Sequence, residues 1–90
     1  MKKNDLFQHI YIDYYSATPK YLQLANMIIK AISDGKLQKD ELLPSINELS
    51  FEFEISRDTA EKSYKYLKKK GTLGSVSGKG YFVKNTEVKQ

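Results

Sequence analysis

The stretch SINELSFEFEISRDT, residues 45–59, decides the fold because it contains two helix starts close together. Ser45 and Glu48 have the spacing of a capping box, in which each side chain accepts a hydrogen bond from the other residue's backbone N–H and so opens a helix. Ser56 is a second N-cap candidate. The spacing therefore predicts a short helix that ends near Glu54 and, after a tight turn, a further helix.

The two helices around this turn have apolar stripes at helical spacing. On the earlier helix the stripe is predicted to be Ile46, Leu49 and Phe53. On the later helix it is predicted to be Ala60, Tyr64 and Leu67, with Gly71 as the helix stop. The remaining surface of the later helix is predicted to carry lysines at positions Lys62, Lys65, Lys68 and Lys69.

A longer amphipathic helix precedes this pair. Thr18 and Pro19 form a start signal, with Thr18 as the N-cap and Pro19 at the first helical position, where its missing N–H costs nothing. The buried stripe of this helix is predicted to run through Tyr21, Ala25, Ile28 and Ile32. Gly35 stops the helix. In the polar connector that follows, Leu42 and Leu43 are expected to tuck under the domain.

The chain after Gly71 has the composition of a β-hairpin. Glycines separate apolar and aromatic residues, which are Leu73, Val76, Tyr81, Phe82 and Val83. The sequence Gly78-Lys79-Gly80 is predicted to form the tip of the hairpin. Three helices followed by a glycine-tipped hairpin predict an α+β fold, a winged helix-turn-helix with the C-terminal hairpin as its wing.

The two ends of the chain flank this unit. Residues 6–15 mix β-branched and aromatic side chains with rough alternation, which predicts a short strand or an extended arm. The last six residues are expected to be a frayed tail. We therefore expect an N-terminal arm (1–17), a winged helix-turn-helix domain (18–84) and a tail (85–90).

Length and composition exclude several classes of function. A chain of 90 residues has room for one domain and one modest core. There is no cysteine, and the single histidine, His9, has no second ligand beside it, so no catalytic residue, metal site or cofactor is expected. The longest aliphatic run, Met27 to Ile29, is far shorter than a membrane span. The composition predicts a cytoplasmic protein that is neither an enzyme nor inserted in a membrane.

Positive charge is concentrated in one part of the chain. The formal net charge is +4. Residues 1–55 carry six basic and eight acidic side chains, whereas residues 56–84 carry eight basic and two acidic ones. Such an asymmetry favours a polyanionic partner, most often nucleic acid, although a lysine-rich helix face on its own is more often a solvated surface.

Four short motifs, in order, carry a resemblance to a known family. They are PKYLQL at 19–24, LPS at 43–45, ISRDT at 55–59 and GKGYFV at 78–83. In this combination the chain resembles the DNA-binding domain of the GntR family of bacterial transcription regulators, and its arm and wing tyrosine resemble the small members of the YtrA-type subfamily. The resemblance implies a repressor-like regulator that binds a palindromic operator as a dimer, with the third helix in the major groove and the wing at the adjacent minor groove.

The residues expected to contact DNA lie at the helix starts and on the wing. They are Ser45, Asn47, Ser56, Arg57, Asp58, Thr59, Lys62, Lys65, Gly78, Lys79 and Tyr81. Backbone N–H groups in the first turn of the third helix favour phosphate, and Arg57 can bind guanine or phosphate with two hydrogen bonds. The alternative for Arg57 is a surface ion pair with Glu61. The alternative for the wing is a plain tight hairpin, and Lys68 to Lys70 are expected to serve solubility and the helix dipole.

Two positions depart from the family pattern. Asn47 stands where the family often has arginine, so it brings no charge to that contact. Glu61 stands where the family frequently has a basic residue, and a carboxylate there repels phosphate unless it accepts from a cytosine amino group or pairs with Arg57. For Ser45 two roles are equally expected, a contact with DNA or a simple helix cap. These departures leave a second function open, a winged-helix module for protein–protein interaction.

The expected partners follow from the first function. They are double-stranded DNA and a second copy of the chain, in a homodimer that is weak or assisted by DNA, with the aromatic arm as a candidate contact. No small-molecule effector is expected in this chain, because only residues 85–90 follow the wing.

Overall fold

The computed structural model describes residues 11–87 and contains the predicted three helices and hairpin. The elements are α1 (Lys20–Ser33), α2 (Ile46–Phe53), α3 (Arg57–Lys69), β1 (Leu73–Val76) and β2 (Gly80–Val83). The two strands pair in antiparallel fashion, with Leu73 opposite Val83 and Val76 opposite Gly80. Within residues 11–87 no helix is long and apolar enough to cross a membrane.

The core is formed by the inward faces of the helices and by residues from the connector, the arm and the wing. Its fully buried side chains include the predicted stripe residues Ala25, Ile28, Leu49, Ala60, Tyr64 and Leu67. Tyr21 and Ile46 are only partly buried, at the edge of the core. Leu37, in the connector after α1, was not predicted to be buried, yet it is only 1% exposed. The helix periodicity therefore predicted most of the core, and the connector supplied the rest.

The start of α1 differs from the prediction by one residue. Pro19 is the N-cap rather than the first helical residue, and no side chain caps the helix. The Gln23 side chain instead holds the segment that precedes the helix. Its Nε2 donates to the carbonyl of Thr18 (2.8 Å), and its Oε1 accepts from the backbone N–H of Asp13 (2.8 Å). The residues before α1 are therefore positioned by a side chain from the first turn of the helix.

The side chain of Tyr64 joins three parts of the domain, through its hydroxyl and through its ring. The hydroxyl donates to the carbonyl oxygen of Pro44 at 2.6 Å, in a buried contact between α3 and the residue just before the α2 cap. The ring centroid of Tyr64 lies 4.7 Å from that of Tyr81 on β2. Burial raises the pKa of Tyr64 far above its ordinary value, with smaller contributions from Glu48 and Tyr81. The hydroxyl therefore stays protonated and able to donate.

The connector between α1 and α2 pairs with β2 on the edge away from β1. Leu43 N–H donates to the Tyr81 carbonyl (2.9 Å), and Val83 N–H donates to the Glu41 carbonyl (3.0 Å). Leu43 is buried as expected, but the expectation for Leu42 is wrong, since its side chain is 55% exposed. Extended backbone directs adjacent side chains to opposite sides, so only one of two consecutive leucines enters the core.

The turn between α2 and α3 contains a residue in the left-handed conformation. Glu54 has φ 52° and ψ 47°, a region that disfavours any side chain with a Cβ. Hydrogen bonds on either side hold it there, because Ser50 Oγ donates to the Ile55 carbonyl (2.7 Å) and Ile55 N–H donates to the Ser50 carbonyl (3.2 Å). The tight turn predicted from sequence is therefore present and locally strained.

The described part of the arm packs on the domain without forming a strand. Ile12 is 4% exposed and belongs to the core, and the Tyr14 hydroxyl donates to the Phe53 carbonyl at the end of α2. Tyr11 and Tyr15 are exposed. Residues 6–10, which complete the predicted strand or arm, lie outside the described residues, as do residues 88–90 of the predicted tail.

Replacing Tyr64 with phenylalanine tests the buried hydrogen bond. Tyr64→Phe leaves the Pro44 carbonyl buried without its donor, and we expect a loss of about 1–3 kcal/mol in the free energy of unfolding. Urea denaturation followed by circular dichroism measures the change. Tyr66→Phe, two residues along α3 and without a hydrogen bond from its hydroxyl to residues 11–87, is the matched control and should unfold like the parent. Equal stability of Tyr64→Phe and its parent contradicts the prediction.

The strained turn gives a substitution that should stabilise the protein. Glu54→Gly removes the Cβ from a left-handed residue, and we expect about 1 kcal/mol of added stability because glycine adopts this conformation without strain. The same substitution two residues earlier, Glu52→Gly, lies inside α2 and should destabilise the protein. Thermal denaturation of both variants measures the two signs. A Glu54→Gly variant less stable than the parent is inconsistent with strain at this turn.

Candidate nucleic-acid interface

The α2 start is built by the predicted capping box. Ser45 Oγ accepts from Glu48 N–H at 3.0 Å, and Glu48 Oε1 accepts from Ser45 N–H at 2.9 Å. Ser45 therefore acts as a cap, while remaining exposed. Asn47, in the first turn, is exposed as well. Both side chains are open to a partner at the N-terminal end of α2, where the helix dipole is positive.

The α3 start presents an arginine at the end of the helix. Ser56 Oγ caps α3 by accepting from Thr59 N–H (3.0 Å) and also lies 2.8 Å from Thr59 Oγ1. Arg57 and Asp58 are exposed. The alternative prediction of an ion pair between Arg57 and Glu61 is wrong. Glu61 pairs instead with Lys65. The Arg57 guanidinium makes no ion pair or hydrogen bond within residues 11–87.

Two lysines predicted as phosphate contacts already have partners within the domain. Lys62 Nζ lies 4.5 Å from the ring centroid of Tyr21 on α1, a cation–π contact. Lys65 Nζ lies 3.1 Å from the carboxylate of Glu61. The hydrogen bond and the charge of Glu61 raise the pKa of Lys65. Both lysines are exposed and basic, but neither is free of a neighbour. The i,i+4 spacing could have indicated Glu61 as the partner of Lys65, whereas the contact of Lys62 with Tyr21 depends on how α1 packs against α3.

The far end of α3 is joined to the wing and to its own helix. Lys68 Nζ donates to Ser75 Oγ on β1 at 2.6 Å, and Lys70 Nζ lies 5.3 Å from the ring centroid of Tyr66. These lysines were expected to serve solubility and the helix dipole, and the contact of Lys68 with Ser75 was not predicted. Since it depends on how the hairpin folds back on α3, no local sequence signal could have found it.

The wing tip is a tight turn that exposes its backbone and one lysine. Lys79 N–H donates to the Val76 carbonyl at 2.9 Å, and Gly78, between them, has φ 79°. A positive φ at this position favours glycine. Gly78 and Lys79 are exposed, whereas Tyr81 is half-buried against Tyr64. Tyr81 is therefore partly a core residue, and the exposed part of the wing is its tip.

The base of the wing has no space for a side chain at Gly74. A Cβ built there would lie 2.6 Å from Cζ of Phe82, the residue directly opposite on β2. The Phe82 ring covers the glycine backbone, which fixes the two strands against each other. This contact was not predicted, because it depends on the register of the hairpin rather than on a local pattern.

The electrostatic surface is divided between the helices. Three carboxylates lie on or next to α2, those of Glu48, Glu52 and Glu54, and the helix has no basic residue. Most of the basic side chains instead extend from α3 to the wing, so a polyanion is attracted to that side of the domain. Within residues 11–87 no group of three or more His, Asp or Glu side chains could hold a metal ion.

The structure brings only some of the predicted contact residues together. Ser56 to Thr59 form one turn, and the Tyr64 contacts place the α2 start and Tyr81 near the middle of α3. Lys62 is directed toward Tyr21 on α1. The shared surface is therefore the outward side of α3, with the α2 start and the wing as its neighbours.

Comparison with known proteins identifies this arrangement. The sequence pattern of the family described as "Bacterial regulatory proteins, gntR family" matches residues 20–83. Among curated proteins, the arabinose metabolism transcriptional repressor of Geobacillus stearothermophilus is 36% identical over 72 residues, which cover 80% of this chain and 20% of the repressor. The chain spans about a fifth to a third of the length of this and similar relatives.

Solved structures give the same result. The GntR-family transcription factor YtrA from Sulfolobus acidocaldarius has a TM-score of 0.81 and 40% identity, covering 89% of this chain and 83% of that one. The DNA-binding domain of AraR, solved in complex with operator ORX1, has a TM-score of 0.75 and 35% identity, covering 83% of this chain and 96% of that one. Both support a winged helix-turn-helix with the elements described above.

Proposed function

Because the chain belongs to the gntR family of bacterial regulatory proteins, whose members are transcription regulators rather than enzymes, we propose that it binds operator DNA and represses transcription in the cytoplasm. One domain, residues 18–84, binds one half-site, with α3 in the major groove and the wing tip at the adjacent minor groove. The similar AraR DNA-binding domain, solved in complex with operator ORX1, supports binding to operator DNA.

The exposure of Arg57 at the start of α3 is the observation that carries the proposal. Its side chain is exposed in the first turn of α3 and makes no ion pair with residues 11–87. The guanidinium has a fork of donors that matches O6 and N7 of guanine, and the positive end of the helix dipole adds attraction for the DNA backbone. Around it, Ser56 and Thr59 form the cap of the helix, Asp58 is exposed in the same turn, and Lys79 adds a charge at the wing tip.

The remaining candidate residues have supporting roles. Ser45, Asn47, Lys62 and Lys65 are exposed and placed to contact the DNA backbone beside α3, and Gly78 allows a close approach of the wing. A second copy of the chain would occupy the other half-site of an inverted repeat. The dimer is expected to be weak or assisted by DNA.

Selection from randomised double-stranded DNA tests the proposal. The chain should retain an inverted repeat at low salt, and retention should fall steeply as salt rises, with a slope of about −0.9 for each phosphate contact on a log–log plot. Sequencing the retained pool gives the half-site and its spacing. Retention of DNA without an enriched sequence would mean phosphate binding only, and absence of retention would favour a protein-interaction module.

Substitution of Arg57 tests the residue on which the proposal depends. Arg57→Ala should weaken binding to the selected operator by about 1–3 kcal/mol and relax the preference at one base pair, because the guanine loses its donors. Fluorescence anisotropy on operators changed one base pair at a time measures both effects. Lys36→Ala, which removes an exposed charge in the turn after α1, is the control and should bind nearly as the parent does. A loss equal on every operator would assign Arg57 to a phosphate.

A further inference from the structure

An acid and a base form one unit on the outward side of α3. The Glu61 carboxylate lies 3.1 Å from Lys65 Nζ, and the two side chains are 46% and 66% exposed. They are four residues apart with the acid nearer the N-terminus, the favourable orientation for such a pair on a helix. The pair lies away from the buried stripe of Ala60, Tyr64 and Leu67, on the surface proposed to enter the major groove.

The neighbouring lysines of α3 are directed elsewhere. Lys62 lies over the Tyr21 ring on α1, and Lys68 donates to Ser75 on the wing. These contacts hold the two ammonium groups toward the flanks of the helix. The Glu61–Lys65 pair is left between them as the polar group that follows Arg57 along α3, about 6 Å farther along the helix axis at Glu61.

A carboxylate on this surface interacts favourably with DNA only at the base edges. It repels phosphate oxygens, so it weakens binding wherever it meets the DNA backbone. Against base edges it accepts a hydrogen bond, and the amino group N4 of cytosine is the donor that Glu and Asp recognise in the major groove. The guanine paired with that cytosine presents O6 and N7, which are acceptors for a lysine ammonium.

The order of acceptor and donor in the pair is complementary to this base-pair edge. In a C·G pair the amino N4 and the carbonyl O6 are hydrogen-bonded to each other and therefore lie about 3 Å apart. The carboxylate and ammonium of Glu61 and Lys65 have a separation of 3.1 Å. The protein thus presents an acceptor and a donor side by side, opposite a donor and an acceptor at a similar spacing.

We propose that Glu61 determines specificity for a cytosine in each half-site and that Lys65 positions its carboxylate and donates to the guanine of the same base pair. This inference rests on the proposed operator binding and assigns a second base-reading position beyond Arg57. The ion pair keeps its partners on binding and adds the base pair to them, so this inference gives Lys65 a base contact in place of the DNA-backbone contact proposed above.

Parallel selections with the parent and Glu61→Gln test the proposal. Glutamine has nearly the same shape but recognises adenine through N6 and N7. We expect a single base pair in each half-site to change from C·G in the parent to A·T in the variant. On fixed operators that differ only at this pair, the parent should prefer C·G by about 5- to 150-fold, and the variant should lose that preference.

Two further variants separate specificity from charge. Glu52→Gln on α2 removes the same charge from a residue that makes no ion pair within residues 11–87, so it should leave the base preference unchanged. Lys65→Met removes the ammonium of the positioning residue and should reduce the preference for C·G without creating one for A·T. Circular dichroism of each variant should match the parent, because all three side chains are exposed or half-exposed.

Three results would overturn the proposal, and they differ from failure of the proposed function. An equal gain of affinity by Glu61→Gln on all operators would make Glu61 a residue that only repels phosphate. A parent that prefers A·T at the affected pair, or an unchanged preference in Glu61→Gln, would remove Glu61 from base reading while operator binding stands. If the parent itself retains no inverted repeat, the proposed function fails and this inference fails with it.

Discussion

The buried hydrogen bond from the Tyr64 hydroxyl to the Pro44 carbonyl is the constraint on which the arrangement of the domain depends. Pro44 directly precedes the α2 cap, so the hydrogen bond to its carbonyl fixes where α2 begins relative to the middle of α3. The same ring packs against Tyr81, which sets the distance of the wing from α3. One side chain thus positions the helix start and the strand that flank the proposed reading surface.

Several basic side chains already have a neighbour in the domain, so fewer are available to DNA than the number of basic residues in the sequence indicates. The segment from the α3 cap to the wing has eight basic residues, yet Lys62, Lys65 and Lys68 are each held by a neighbour in the domain. These contacts orient the side chains and reduce the entropy that binding would otherwise cost. Arg57 and Lys79, at the two ends of the surface, make no such contact with residues 11–87. The geometry therefore favours a few oriented contacts over diffuse attraction by a lysine-rich face.

Local patterns predicted the fold, and non-local contacts account for what they missed. The capping box at Ser45, the cap at Ser56 and the stripe through Tyr64 depend on residues three or four apart, which sequence shows directly. The Leu43 pairing with β2, the contact between Lys68 and Ser75, and the ring of Phe82 over a glycine depend on the return of the hairpin. The same distinction holds for the site, where the exposure of Arg57 was predictable and the partners of the lysines, apart from the i,i+4 neighbour of Lys65, were not.

The turn between α2 and α3 illustrates why a local rule and the whole fold can disagree. A glutamate at the left-handed position of Glu54 is unfavourable by about 1–2 kcal/mol relative to a right-handed residue. The turn persists because Ser50 and Ile55 bond to each other across it, Phe53 is buried, and the Tyr14 hydroxyl occupies the Phe53 carbonyl. These contacts come from both helices and from the arm. The angle at which α3 leaves α2, and with it the direction of Arg57, is therefore set by packing around the turn rather than by the preference of the turn residue.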